Sequence, residues 1–215
     1  MKRATVIVFV KAPVLGQVKT RLAKDVGAVA ATMLYRRLTA HTLRAVGQDR
    51  RWRVALAVMP DHAAAARFWP AWPRHKQGPG DLGRRMSRAA ARHAGPVIIV
   101  GSDIPGLSRD VVAEALAHLR GADVVIGPAE DGGYWLIGWR HGHRARGALR
   151  HVRWSGPNAL ADTVQSLPPA AKVTYAATLR DLDTVNDLQA LKMFQRSLSR
   201  GNSSTKLQGR WRLSN

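Results

Sequence analysis

The run Pro96-Val97-Ile98-Ile99-Val100-Gly101-Ser102-Asp103-Ile104-Pro105 constrains this chain more than any other stretch. Its first five residues are apolar and mostly β-branched, which predicts a strand buried on both faces and hence a sheet covered on both sides. The run stops at Gly-Ser-Asp, passes Ile104-Pro105, and gives way to Gly106-Leu107-Ser108 and a helical pattern. An aspartate at the carboxyl end of a buried central strand stands where open α/β sheets bind their ligands. A solvated loop aspartate fits the same pattern, so the reading depends on what the rest of the chain supplies.

With 215 residues the chain can build one substantial core. No apolar run is long enough to cross a bilayer. Met-Lys-Arg-Ala-Thr followed by Val-Ile-Val-Phe-Val superficially resembles a signal peptide, but Lys11 and Pro13 interrupt it and no small-residue cleavage site follows. It reads as a first strand. The absence of cysteine excludes disulfides, thiolate metal sites and a cysteine nucleophile. The expectation is a soluble, cytoplasmic protein.

Thirty-four Lys and Arg against 14 Asp and Glu give a formal charge of +20, which attracts anions of every kind. The basic residues are scattered, without long blocks or regular aromatic interleaving. That distribution favours an arginine-rich habit on solvated faces over a dedicated nucleic-acid surface. Arginine outnumbers lysine, which suits phosphate recognition.

Taken in order, Thr5 to Val10 form a first strand candidate, followed by a Pro- and Gly-containing loop from Lys11 to Leu22. Lys19 and Arg21 in that loop are close enough to converge on one anion. A helix is expected from about Val26 to Val46, with Val29, Met33, Leu34, Leu38, Thr42 and Leu43 near one face. Trp52 to Met59 read as a second strand, with Asp61 placed to cap a short alanine-rich helix. Trp69 to His75 carry no clear periodicity. Gln77-Gly78-Pro79-Gly80-Asp81-Leu82-Gly83 then run into a helix, a loop whose amides can approach a phosphate or base and which also serves as a plain turn.

A helix near Arg109 to Arg120 precedes a buried strand from Asp123 to Pro128. Glu130-Asp131-Gly132-Gly133 then turn into the apolar Tyr134 to Gly138. With acids so scarce, two adjacent carboxylates at that turn are informative. A helix is expected from about Asn158 to Ser166 and a late strand from Lys172 to Ala176. Arg180-Asp181-Leu182-Asp183-Thr184-Val185-Asn186-Asp187 is acid-rich; Thr184 and Asp187 suit a helix cap, which leaves Asp181 and Asp183 unexplained. From about Leu198 the chain is polar and reads as a mobile basic tail. His141-Gly142-His143 reads as solvated rather than metal-bound.

Strands alternating with helices predict a mostly parallel α/β sheet. The motifs Lys-Ala-Pro-x-x-Gly-x-Val-Lys-Thr-Arg-Leu from Lys11, Gln-Gly-x-Gly-Asp-Leu-Gly from Gln77, and Gly-Ser-Asp-x-Pro from Gly101 stand in order. Gly-Pro-Ala-x-Asp-Gly-Gly-Tyr from Gly127, Trp-Ser from Trp154 and Asp-x-Asp-Thr from Asp181 complete the set. Over roughly residues 4–195 the chain resembles the nucleotide-diphospho-sugar transferase superfamily, of GT-A type. Within it the chain looks most like a bacterial glycosyltransferase-like group, some members of which are linked to arsenosugar biosynthesis. More distantly it is similar to guanylyltransferases for phospholactate and the molybdenum cofactor.

The resemblance implies a single-domain α/β/α sandwich over residues 1–197, with the tail at 198–215. It implies a nucleotide held by Lys11, Gly16, Lys19, Arg21, Gln77, Gly80, Gly83 and Ser102, with Lys19 and Arg21 facing phosphates and acting in catalysis. It implies Mg²⁺ (or Mn²⁺) on Asp103 and Asp183, and Asp131 facing the sugar or acceptor. Gly156 stands where the family pattern has threonine, and Asp103 is single where many related glycosyltransferases carry Asp-x-Asp.

A departing diphosphate develops negative charge that a divalent cation, lysine and arginine can neutralise, and Mg²⁺ favours one or two carboxylates with phosphates and water. The first expectation is glycosyl transfer from a nucleotide sugar to a small-molecule acceptor, with Asp131 or Glu130 as candidate base. The second is nucleotidyl transfer, in which a phosphate oxygen attacks an α-phosphorus and releases pyrophosphate. A nucleic-acid-binding protein ranks a distant third.

Overall fold

The computed structural model describes residues 3–47, 49–180, 182, 187 and 189. Seven strands form one sheet in the order β3-β2-β1-β4-β6-β5-β7. They are β1 (Ala4–Lys11), β2 (Trp52–Met59), β3 (Arg74–Lys76), β4 (Val97–Val100), β5 (Val124–Pro128), β6 (Tyr134–Trp139) and β7 (Val173–Tyr175). The helices are α1 (Thr20–Val26), α2 (Ala28–Gly47), α3 (Leu82–Ala90), α4 (Arg109–His118) and α5 (Ala159–Gln165). All neighbouring strands run parallel except β6, which is antiparallel to both β4 and β5. The mostly parallel α/β/α architecture expected from the sequence is therefore the one observed.

Strand alternation divides the core into two layers. Val6, Val8 and Val10 of β1, with Ile98 and Val100 of β4, pack on one face with Val46 of α2 and Val112 and Ala115 of α4. Ile7, Val97 and Ile99 point to the other face, where Met86 and Ala90 of α3 and Leu149 cover them. Successive strand side chains must point to opposite faces, so two helical layers are needed to bury an uninterrupted apolar run. Ile98 and Val100 are fully buried, each stabilising by about 1.5–3 kcal/mol.

Three local expectations are corrected. In α2, Leu38 and Thr42 are buried as expected, but Val29 and Met33 are exposed while Thr32, Tyr35 and Thr39 are buried. Thr32 Oγ1 donates to the Ala28 carbonyl at 2.8 Å, which lets a hydroxyl enter the core. The end of the expected loop, Thr20 to Leu22, instead opens the short helix α1. Asp61 opens a single 3-10 turn without capping it; its carboxylate instead accepts from the Gly78 amide at 3.0 Å. The unplaced Pro- and Trp-rich stretch leads into the edge strand β3, paired to β2 through Leu56–Arg74, Ala57–His75 and Val58–Lys76. Among the described residues no helix is long and apolar enough to cross a membrane. Asp181, Asp183, Thr184 and the tail lie outside the described residues.

Candidate active site

β1 and β4 lie side by side and parallel, where the strand order reverses direction. At such a reversal of strand order, the region beyond the carboxyl ends is where open α/β sheets bind their ligands, and here the helices that follow, α2 and α4, cover the same face of the sheet. Here Lys11 closes β1 and Gly101-Ser102-Asp103 follow β4. A cleft of about 600 Å³ opens there, lined by Lys11, Lys19, Arg21, Gln77, Ser102, Asp103 and Asp131 among others. Gly16, Gly80 and Gly83 are not part of its lining, and Asp183 is among the undescribed residues.

Lys19 immediately precedes α1 in a left-handed conformation, φ 49° and ψ 45°. Its side chain is only 3% exposed and its ammonium pairs with the carboxylate of Asp103, itself 28% exposed. The early basic loop and the aspartate after β4 thus meet in one place. Arg21, one residue into α1, adds an exposed guanidinium to the same rim.

Tyr35 of α2 fastens these pieces together. Its hydroxyl accepts from the Lys11 amide at 2.8 Å, donates to the Lys11 carbonyl at 3.0 Å, and lies 3.1 Å from Ser102 Oγ. Burial pushes the phenol's pKa up, and the nearby Asp103 charge pushes it the same way. The hydroxyl therefore stays protonated, joining the ends of β1 and β4 to α2. Tyr35 stands outside the stripe expected for this helix, and only the fold brings it beside Lys11 and Ser102.

Across the cleft, the turn between β5 and β6 carries Asp131. Gly132 adopts φ +85° with the Pro157 carbonyl 2.3 Å from where a Cβ would stand, so only glycine fits there. Asp131 Oδ1 accepts from the Gly133 amide at 2.9 Å. No hydrogen bond ties Oδ2 to another described residue. Glu130 turns away into an ion pair with Arg180, Nε to Oε2 2.6 Å. Of the two candidate bases, only Asp131 lines the cleft.

Tyr134 and Trp154 complete this wall, edge to face at 6.3 Å, and burial pushes the Tyr134 phenol's pKa up. A Cβ on Gly156 would meet nothing within 4 Å. The space that a threonine side chain would fill beside the cleft is open.

The Gln77 loop contributes differently from expectation. Gln77 is buried, and its Nε2 donates to the carbonyls of Ala57 at 3.0 Å and Val10 at 3.3 Å, bridging β2 and β1. Gly80 takes φ +100°, and Gly83 lets α3 approach the Leu149 carbonyl, 2.4 Å from an added Cβ. Asp81 caps α3 by accepting from the Arg84 amide at 2.8 Å. It is α3 itself that reaches the cleft, through Leu82, Arg85 and Met86. Their i, i+3, i+4 spacing was the available signal.

Among the described residues no group of three or more His, Cys, Asp or Glu can hold a metal ion. The described carboxylates of the cleft are Asp103 and Asp131. Such a sparse oxygen set fits a hard cation that takes most of its ligands from phosphate and water.

Residues 42–156 match the family described as uncharacterized protein conserved in bacteria (DUF2064). A nucleotide-diphospho-sugar transferase candidate from Desulfovibrio desulfuricans G20 is similar at 32% identity, with TM-score 0.81, over 95% of this chain and 92% of that one. A nucleotidyl transferase from Methanothermobacter is 14% identical, with TM-score 0.60, over 92% of this chain and 100% of that one. A 4-diphosphocytidyl-2C-methyl-D-erythritol synthase from Anaerococcus prevotii DSM 20548 is 10% identical, with TM-score 0.59, over 91% and 96%. The last two share the fold. No curated protein matches this chain.

Proposed function

This chain belongs to the bacterial DUF2064 family and to the nucleotide-diphospho-sugar transferase superfamily, and we propose that this transferase moves a sugar from a nucleoside-diphosphate sugar to a hydroxyl of a small acceptor. The observation that carries the reading is the meeting of Lys19, Arg21, Ser102 and Asp103 at the paired ends of β1 and β4, facing Asp131. Lys19 and Arg21 supply positive charge for the diphosphate, with the Lys11 backbone and Ser102 positioned by Tyr35. Asp103 holds a divalent cation, Mg²⁺ or Mn²⁺, with Asp183 as its partner. That ion, when bound, lowers the charge of the departing diphosphate.

Asp131 takes the proton of the acceptor hydroxyl through Oδ2 as that oxygen bonds to the anomeric carbon. The bond from the anomeric carbon to the phosphate oxygen breaks, and the electron pair leaves with the nucleoside diphosphate. Tyr134 and Trp154 offer faces for a sugar or acceptor ring.

A second reading keeps the site and changes the bond. Asp103 is the single carboxylate of Gly101-Ser102-Asp103, which favours nucleotidyl transfer to a phosphorylated small molecule with release of pyrophosphate. Calorimetry with nucleoside diphosphate sugars and nucleoside triphosphates, each with and without Mg²⁺, tests the common part. A pyrophosphate-release assay separates the two, because glycosyl transfer liberates none. Failure of both nucleotide classes to bind in the presence of Mg²⁺ sinks both readings.

A further inference from the structure

A second cavity of about 880 Å³ lies on the far side of α3 from the cleft. Arg84 and Arg88, one helical turn apart, share a face of α3, and Arg92 follows in the turn beyond. Arg146 and Arg150 form the opposite bank. Among the described residues Asp81 is the one acid lining it, and its carboxylate is engaged in capping α3.

In a chain with this charge, an isolated unpaired arginine says little. Elsewhere Arg51, Arg109, Arg144, Arg153 and Arg180 each meet an acid. Here Arg84, Arg146 and Arg150 converge on one concavity, and no ion pair or side-chain hydrogen bond ties them to another described residue. Arg88 is otherwise committed, donating to the carbonyls of Gln77 at 2.6 Å and Pro79 at 2.8 Å. Like charges gathered in this way repel one another unless an anion joins them.

The banks are also fixed in relation to each other. Ser87 Oγ donates to the Ala148 carbonyl at 2.9 Å, and Gly83 packs against Leu149. The guanidinium groups therefore project from a stitched frame, which lowers the cost of ordering them around a ligand.

We propose that this arginine groove is a binding site, distinct from the cleft, for a compact polyphosphate anion. Guanidinium groups recognise phosphate oxygens in pairs, and two banks accommodate more than one phosphate. Among the described residues the lining holds no Phe, Tyr or Trp, and His151 is its one ring, which favours a base-free anion over a nucleic-acid strand. Because Leu82, Arg85 and Met86 of the same helix line the cleft, an anion in the groove bears on α3 from behind.

The test is calorimetric titration of the full chain with tripolyphosphate, without Mg²⁺. The unsubstituted protein, Arg21→Gln in the cleft, and the triple variant Arg84→Gln, Arg146→Gln, Arg150→Gln are compared. The triple variant is expected to lose a binding event, or at least about tenfold in its affinity, while still binding nucleotide with Mg²⁺. Arg21→Gln is expected to keep that event. Should the triple variant fail to fold, Arg84→Gln and Arg150→Gln singly are each expected to weaken tripolyphosphate by about threefold or more. Tripolyphosphate binding unchanged by the groove substitutions overturns the proposal. Equal affinity for orthophosphate, meaning an adventitious ion only, also overturns it. So does a short single-stranded oligonucleotide that displaces tripolyphosphate and binds more tightly.

Discussion

Two ion pairs follow the ends of strands that run in the same direction, and they differ in their surroundings. Lys19–Asp103, beyond β4, places a lysine side chain 3% exposed against a carboxylate 28% exposed. Arg180–Glu130, beyond β5, has side chains 45% and 50% exposed. A pair in open solvent is worth about 0–1 kcal/mol. A largely desolvated pair gains less than it costs unless other contacts support it. The first pair joins an enclosed ammonium to a carboxylate still partly open to the cleft, so it differs from the second in its setting as well as in its partners. Acids of one chain can thus have different fates, as the adjacent Glu130 and Asp131 also do.

The sharpest way to break this contrast is at the cleft. Asp131→Asn should lower kcat by about 10²–10⁴ with nucleotide affinity nearly unchanged; a wild-type rate would remove Asp131 from the chemistry. Asp103→Asn should cost about 10²–10³ in rate and abolish the Mg²⁺ dependence of nucleotide binding in calorimetry. Retained Mg²⁺ dependence would contradict the assignment of Asp103.

Tyr35→Phe leaves the Lys11 amide without its partner and should cost about 1–3 kcal/mol in urea denaturation, with KM for the nucleotide raised. An unchanged KM would reduce Tyr35 to a packing residue. Glu130→Gln, at the solvated pair, should leave stability within about 0.5 kcal/mol and activity unchanged. Equal effects at Glu130 and Asp103 would erase the distinction altogether.

The smallest effect concerns pH. Burial is the leading cause that holds His41, His75 and His93 below the usual histidine range. Such histidines bind fewer protons folded than unfolded, so stability rises with pH through this range. Their contribution is complete above about pH 6.5 and fades as pH falls through their folded values. Urea midpoints should therefore drop between about pH 7.5 and pH 5.5, and a flat profile would deny the histidines this role.

The buried strands were readable because apolar runs such as Val97–Val100 leave few alternatives. β3 was not, since Arg-His-Lys at a sheet edge carries no apolar signal. The face of α2 was misjudged because hydropathy alone directs Val29 and Met33 inward, whereas backbone bonding lets Thr32 take the buried side. In the site, the charged residues announced themselves by type and spacing. Tyr35 and Arg85 did not, because their significance comes from what the fold places beside them. Gly83 packs α3 against Leu149, and close helix packing calls for the same residue that phosphate approach does.

Lys19 adopts a backbone geometry that a residue without a side chain would occupy more comfortably. For any other residue such a conformation costs about 1–2 kcal/mol. Glycine there would relieve the backbone while emptying the cleft of an enclosed positive charge and leaving Asp103 without its ammonium partner. Conformational ease and a positive charge inside the cleft are thus set against each other at a single position, and the lysine records which of the two the molecule has kept.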